Sequence, residues 1–225
     1  MTLRSVTSLH QDYGSVIVSA PTSEPVTAAE LRTHLRADAT ELPDAEADGL
    51  IEEARQYIED HCGIAFFTQS WRLSLDRWPN GSEPWWDGVR QGSITELNGG
   101  RPYSLKLPRF PLQSVTSVTV YDEADDDTAV NVANTFHIDV YQMPGRMTLK
   151  AGSTWPVALR STNGIQIVYV AGYTNVNDIP ASLKRAVKQL AAYLYAHRGD
   201  DCDIGDAFKQ AGVNKIVDNF RIAKV

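Results

Sequence analysis

The sequence lacks the arrangements of residues that catalytic and metal-binding sites require. It contains two cysteines, Cys62 and Cys202, which lie far apart and outside any metal-ligand spacing. None of the five histidines belongs to an H-x-x-H or H-E-x-x-H pattern, and no G-x-S-x-G or G-x-x-x-x-G-K-[ST] motif occurs. We therefore expect a protein that is not an enzyme, holds no cofactor or metal, and keeps free thiols in a reducing compartment.

Long apolar runs and an excess of positive charge are also missing. The longest apolar stretches have the length of a strand, which argues against a membrane-spanning helix and predicts a soluble protein. The net charge of -7 argues against a protein that grips duplex DNA, because that task needs clustered Lys and Arg.

What the sequence does contain is a pair of helix signals near its start. Thr27 can cap the amide of Glu30, and the Glu30 carboxylate can reach back to the amide of Thr27. A second helix is predicted from Pro43 to its stop at Gly63. Its apolar positions recur at helical spacing and form one buried stripe: Leu50, Ile51, Ala54, Tyr57 and Ile58.

From Thr68 to Gly172 the periodicity changes from that of a helix to that of strands. About six short strands, separated by turns such as Asp125-Asp126-Asp127 and Asn163-Gly164, predict a small antiparallel sheet or sandwich. The stretch 79–103 is too long for a hairpin turn, and loops of that length are usually functional or mobile. Its Trp85 and Trp86 could dock on a neighbouring molecule or tuck onto the chain's own sheet.

A third helix is predicted from Pro180 to Arg198, with a buried stripe that includes Leu183, Val187 and Leu190. The tail that follows is unusually apolar for a solvated terminus, so it either packs on its own domain or binds a partner. The tail residues in question are Ile216, Val217, Phe220, Ile222 and Val225.

The helical segments carry opposite charges. Ten acidic residues face three arginines between Thr27 and Cys62, whereas the bases of the third helix have no acid among them. Both faces could simply be solvated, or they could pair between copies of the chain. The residues expected at such a contact are Glu52, Glu53, Glu59 and Asp60 on one copy and Lys184, Arg185 and Lys188 on the next.

These patterns predict an α+β fold. It comprises a small helical bundle, built from two N-terminal helices and one C-terminal helix, with an inserted antiparallel β domain and a C-terminal tail. The expected divisions are an N-terminal arm (1–25), the first helical part (26–64), the β-rich insertion (65–175), the second helical part (176–199) and a partner-binding tail (200–225).

Several motifs in this order resemble a known family. They are VTAAELxxHLR at 26–36, LIxxARxYIxxxCG at 50–63, TQxWxLxL at 68–75, LPRxPLxSV at 107–115, PGR at 144–146 and VAGY at 170–173, followed by the Ile179-Pro180 helix. Together they resemble the head–tail connector (adaptor) proteins of long-tailed bacteriophages and phage-like gene transfer agents, in the subgroup with a β insertion. The likeness covers roughly residues 26–198.

The resemblance implies a virion structural protein, located at the head–tail junction of a phage or phage-like particle and assembled in the host cytoplasm. It implies a ring of about twelve copies below the portal protein, closed by head-to-tail contacts. The ring would continue the DNA channel without sequence-specific DNA binding, dock its C-terminal part on the portal and receive a head-closure (stopper) protein on the opposite face. We accordingly expect the apolar tail residues to bind the portal and to be mobile or packed differently without it.

Two other functions remain open from the residues alone. The chain could be a carbohydrate- or peptide-binding module that uses Trp85 and Trp86, with the helices as a scaffold. A weaker alternative is a hydrolase that uses Asp and His side chains.

Overall fold

The structure is a computed structural model that describes residues 13–78, 104–198 and 204–221. It confirms the α+β class, with helices and two antiparallel sheets. In chain order the elements are β1 (Tyr13–Ser19), α1 (Ala28–Leu35), α2 (Asp44–Cys62), β2 (Gln69–Leu75), β3 (Ser104–Lys106), β4 (Leu112–Tyr121), β5 (Asp127–Val130), α3 (Val132–Thr135), β6 (Phe136–Asp139), β7 (Arg146–Leu149), β8 (Ile165–Ala171), a 3-10 turn (Val176–Asp178), α4 (Ala181–Ala196), α5 (Ile204–Gln210) and α6 (Asn214–Val217).

The predicted helix boundaries are confirmed by their capping contacts. The Glu30 amide donates to Thr27 Oγ1 over 3.2 Å, and the Thr27 amide donates to the Glu30 carboxylate over 2.9 Å, which completes a capping box. Helix α2 ends at Gly63, whose φ of 73° places it in the left-handed region that glycine adopts without steric cost.

The helical core forms around the stripes of α2 and α4. Ile51, Ala54 and Ile58 of α2 and Leu183 and Leu190 of α4 have no exposed surface. The two C-terminal helices complete this core, because Ala207, Phe208, Val213 and Val217 are buried in the same cluster.

The larger sheet has the strand order β1-β2-β8-β4-β5, and every neighbouring pair is antiparallel. The smaller sheet has the order β3-β7-β6. Both sheets contribute to a second core, which combines Leu73, Ile167 and Tyr169 of the larger sheet with Leu105 and Met147 of the smaller one. Side chains alternate along β8 between buried and half-buried, as a strand with one covered face requires.

The β block leaves and rejoins the helical part at adjacent points. Strand β2 begins seven residues after α2 ends, and β8 leads towards α4; Gln69 at the start of β2 pairs with Ala171 at the end of β8. Gly172, the next residue, has a φ of 114°, and its backbone runs so close to Phe67 that a Cβ atom would lie 1.9 Å from the Phe67 carbonyl oxygen.

Three elements differ from the expectations of the sequence. The predicted N-terminal arm contains β1, which pairs with β2 as a strand of the larger sheet. The acidic stretch 125–127 is a turn only as far as Asp126, because β5 begins at Asp127 and pairs with β4. The tail folds into α5 and α6, whose short apolar segments carried too few turns to reveal a helical period.

Candidate functional site

A cleft of about 790 Å³ lies between α2 and the segment that leads from β1 to α1. Ile17 and Trp71, which face each other on paired strands, form part of its apolar lining. Carboxylates from both sides of the cleft line it as well, namely Glu24, Asp48, Glu52, Glu59 and Asp60.

A buried ionic network lies at the bottom of this cleft. Arg55 Nη1 donates to the Glu59 carboxylate over 2.8 Å, and Arg55 Nε donates to Glu24 over 2.7 Å. The other Glu59 oxygen accepts from the Phe66 amide and from Gln69 Nε2, both over 2.8 Å. Glu59 therefore ties α2 to its own exit segment and to the first residue of β2, where the helical and β parts meet.

Burial of the network affects the pKa values of both Glu59 and Arg55. Arg55 and Glu59 are 4% and 5% exposed. Burial raises the pKa of the Glu59 carboxyl, and the Arg55 charge and the donated hydrogen bonds oppose that shift. The pKa of Arg55 is also raised, because the hydrogen bonds and charges of Glu24 and Glu59 together outweigh its own desolvation.

Arg109 forms the second cationic contact of the cleft. Its guanidinium lies 4.3 Å from the centre of the Trp71 ring, donates to the Glu59 carbonyl oxygen over 2.7 Å and pairs with Asp60 over 2.7 Å. Both arginines of the cleft are therefore already paired. The rim acids Asp48 and Glu52 are exposed, and Glu52 also lies 3.8 Å from Arg55 Nη2.

The chemistry of this arrangement is that of a binding surface. Its titratable lining consists of carboxylates and two arginines, with no histidine or cysteine among the lining residues. Among the described residues no group of three or more His, Cys, Asp or Glu side chains could hold a metal ion. Paired arginines and exposed rim carboxylates suit contact with cationic side chains of another protein.

The prediction that Glu59 contacts a neighbouring subunit is wrong. Glu59 cannot reach another molecule, because its carboxylate is buried and accepts hydrogen bonds from three groups of its own chain. Glu52 and Glu53 are exposed, and Asp60 is exposed but pairs with Arg109. For these three residues a role between subunits stays a prediction.

The predicted basic partners lie on α4, outside its buried stripe. Arg185 is exposed, whereas Lys184 and Lys188 are half-buried beside α1 of the same chain. The Thr27 amide, which donates to Glu30, lowers the pKa of that carboxyl, and the charges of Lys188 and Lys184 act in the same direction. Part of the expected attraction between acids and bases is thus satisfied inside one chain.

The described part of the tail packs on its own domain. Val217 has no exposed surface, and Ile216 and Phe220 are half-buried against the helical core. This packing disagrees with mobility of these residues without the portal, whereas the alternative, that they pack differently without it, stays a prediction. Binding of the portal by the tail stays a prediction, and Ile222 and Val225 lie outside the described residues, as do Trp85 and Trp86.

Little in the amino-acid sequence indicates the Arg55–Glu59 network. The i, i+4 spacing of the two residues is also that of an ordinary exposed helix pair. Their partners Glu24, Phe66 and Gln69 come from other parts of the chain, so the network depends on tertiary structure. The helices of the described part include none that is both long and apolar enough to cross a membrane.

Comparison with protein families and with curated proteins finds no match. Solved structures do match. A chain in the neck of an empty gene transfer agent particle, computed with C6 symmetry, superposes with a TM-score of 0.67 at 24% identity, over 92% of this chain and 95% of the other. The virion of a native gene transfer agent particle contains a chain with the same TM-score and identity, over 92% and 94%.

A third structure, the neck of a native gene transfer agent particle computed with C12 symmetry, matches with a TM-score of 0.60 at 22% identity, over 92% and 94%. The chain shares its fold with these particle components. The match extends well beyond the helical core, since it includes most of the β block and of the C-terminal part.

Proposed function

We propose that this protein is a structural, non-enzymatic subunit of the neck of a phage-like particle. In this proposal it is the head–tail connector (adaptor), which forms a ring below the portal and joins the DNA-filled head to the head-closure protein and tail. The observation that carries the proposal is the shared fold, which covers nearly the whole length of both chains and occurs in particle necks computed with C6 and C12 symmetry.

The distribution of charge supports a head-to-tail ring. A ring of identical subunits needs two different, complementary surfaces on each copy. The rim acids of the cleft and the exposed base Arg185 lie on different helices and face away from the shared core. Each copy can therefore present negative charge to one neighbour and positive charge to the other. An acidic channel wall would also let DNA pass without strong adhesion.

The packing of the tail changes how portal binding has to work. Buried Val217 holds α6 on the helical core. A ring that docks on the portal with α6 still folded therefore has to use residues at the surface of this region. Lys215 and Arg221 are exposed there and could meet acidic groups on a portal rim. Many weak contacts of this kind, one per subunit, would together hold the ring firmly.

The experiment that tests the function is deletion of the gene in a cell that produces the particles, followed by electron microscopy. The deletion should give DNA-filled heads without tails, or heads that have lost their DNA, and the wild-type gene supplied in trans should restore complete particles. A tagged copy should then appear between head and tail. Complete particles in the deletion strain would refute the proposal.

A further inference from the structure

Strand β1 is an unusual surface for a protein that stays alone. It is the edge strand of the larger sheet, and residues 14–20 are all exposed. Val16, Ile17 and Val18 are 53%, 42% and 56% exposed and, being consecutive, present apolar side chains on both faces of the strand. The strand contains no charged residue and no proline, the usual means of preventing further strand pairing.

The position of β1 indicates what covers it. Ile17 lines the same cleft as the rim acids Asp48 and Glu52, so the apolar edge and the acidic rim form one continuous surface. That rim is the surface assigned above to contact between copies. We propose, on the basis of the proposed function, that β1 is covered in the assembly by the segment Trp155–Arg160 of a second copy of this chain.

This segment presents exposed apolar side chains that can cover β1. Trp155 and Ala158 pack against the β core, whereas Val157 and Leu159 are 74% and 61% exposed, so exposure alternates only over residues 156–160. The Leu159 and Arg160 amides donate to the Tyr121 carbonyl, whereas the backbone of Val157 makes no hydrogen bond to other residues in the described ranges, so the exposed apolar side chains make most of the contact. No acidic residue occurs from Lys150 to Arg160, so nothing in it repels the acidic rim.

Two other exposed segments of a second copy fit β1 less well. Strand β5 is an edge strand too, but it follows the sequence DEADDD at 122–127, which would be repelled by the acidic rim. The connection between β6 and β7 exposes Tyr141 and Met143, but it folds back onto the Asp139 carboxylate, whose charge would be repelled by the acidic rim.

Disulfide crosslinking of the full-length chain tests the contact directly. In a Cys202→Ser background, chains with Val16→Cys are mixed with chains carrying Leu159→Cys at the highest soluble concentration and oxidised mildly. The remaining Cys62 is buried and does not interfere. Mixed dimers should exceed those formed with partner chains carrying Ala129→Cys on β5 or Met143→Cys in the turn. Equal yields for a comparison pair, or no crosslink in the first mixture, overturn the inference.

A charge placed in the strand gives a second, independent measurement. Val18→Lys should weaken self-association at least about tenfold, because it removes the burial of one apolar side chain. Val176→Lys, at a valine that is 39% exposed in the 3-10 turn, is the matched control and should leave association unchanged. If Val18→Lys and the control behave alike, β1 is not a contact surface. The neck location is judged separately from particle images, so it can stand while this contact fails.

Discussion

Removal of the Glu59 carboxylate should destabilise the fold far more than removal of any exposed acid of α2. In Glu59→Ala the Phe66 amide loses its acceptor inside the protein, which costs about 1–3 kcal/mol. Arg55 also loses one of its two close partners while it stays buried, and breaking such a pair costs about 3–5 kcal/mol.

Because Arg55 keeps its 2.7 Å contact with Glu24, we expect the free energy of unfolding to fall by about 3 kcal/mol, near the lower end of the range for breaking a buried pair. The assay is urea unfolding followed by circular dichroism and tryptophan fluorescence, with the midpoint and slope fitted for each variant. Glu53→Ala is the matched control, since this acid lies on the same helix but is exposed; it should change stability by no more than about 0.5 kcal/mol.

A double-mutant cycle separates the pair from its surroundings. Arg55→Met combined with Glu59→Leu should be less destabilising than the sum of the two single changes, with a coupling of about 0.5–3 kcal/mol. A Glu59→Ala protein as stable as the Glu53→Ala control would show that the network contributes nothing to the fold, and the reasoning from its burial would be wrong.

Three further predictions concern the cores, a close backbone approach and the buried thiol. Leu190→Ala should cost about 2–5 kcal/mol, because Leu190 has no exposed surface in the helical core, and an unchanged melting curve would remove it from that core. Gly172→Ala should give largely insoluble protein or a much lower melting temperature, since its Cβ would overlap the Phe67 carbonyl; normal yield and melting would contradict this close approach. In Cys202→Ser protein, Cys62 should resist iodoacetamide at pH 8 until urea is added, because burial raises its thiol pKa to about 12. On raising the pH, the Cys62 thiol of the unfolded chain loses its proton before the buried thiol of the folded chain. The folding stability that depends on the neutral thiol is therefore complete below pH 9 and is lost as the pH rises towards 12. Rapid labelling of the native protein at pH 8 would refute the burial of this thiol.

The sequence was most informative where local chemistry determines structure. The Thr27–Glu30 capping box, the Gly63 stop and the apolar stripes of α2 and α4 lie where their patterns predicted them, because each depends on residues within a few positions of one another. The same holds for β2 and β8, which alternate in burial along their length.

The features that the sequence did not reveal depend on distant contacts. Strand β1 has apolar residues without alternation and becomes a strand by pairing with β2, more than 50 residues away. The buried state of Glu59 depends on Phe66 and Gln69, which return to α2 only after the chain has turned. The burial of Val217 requires the whole helical core, so its apolar character alone fitted a partner-binding tail equally well.

The pairing of Gln69 with Ala171 has a consequence for how such a chain can change over evolutionary time. Neighbouring strands lie about 5 Å apart, so the more than 100 residues between these two positions start and finish almost at the same place. Because its two ends are adjacent, the whole block is attached to the helical part in the way that a short hairpin would be. A block attached in this way can lengthen, shrink or be exchanged with little change in the cost of closing the chain. The helical part can therefore keep its architecture while the inserted block is remodelled.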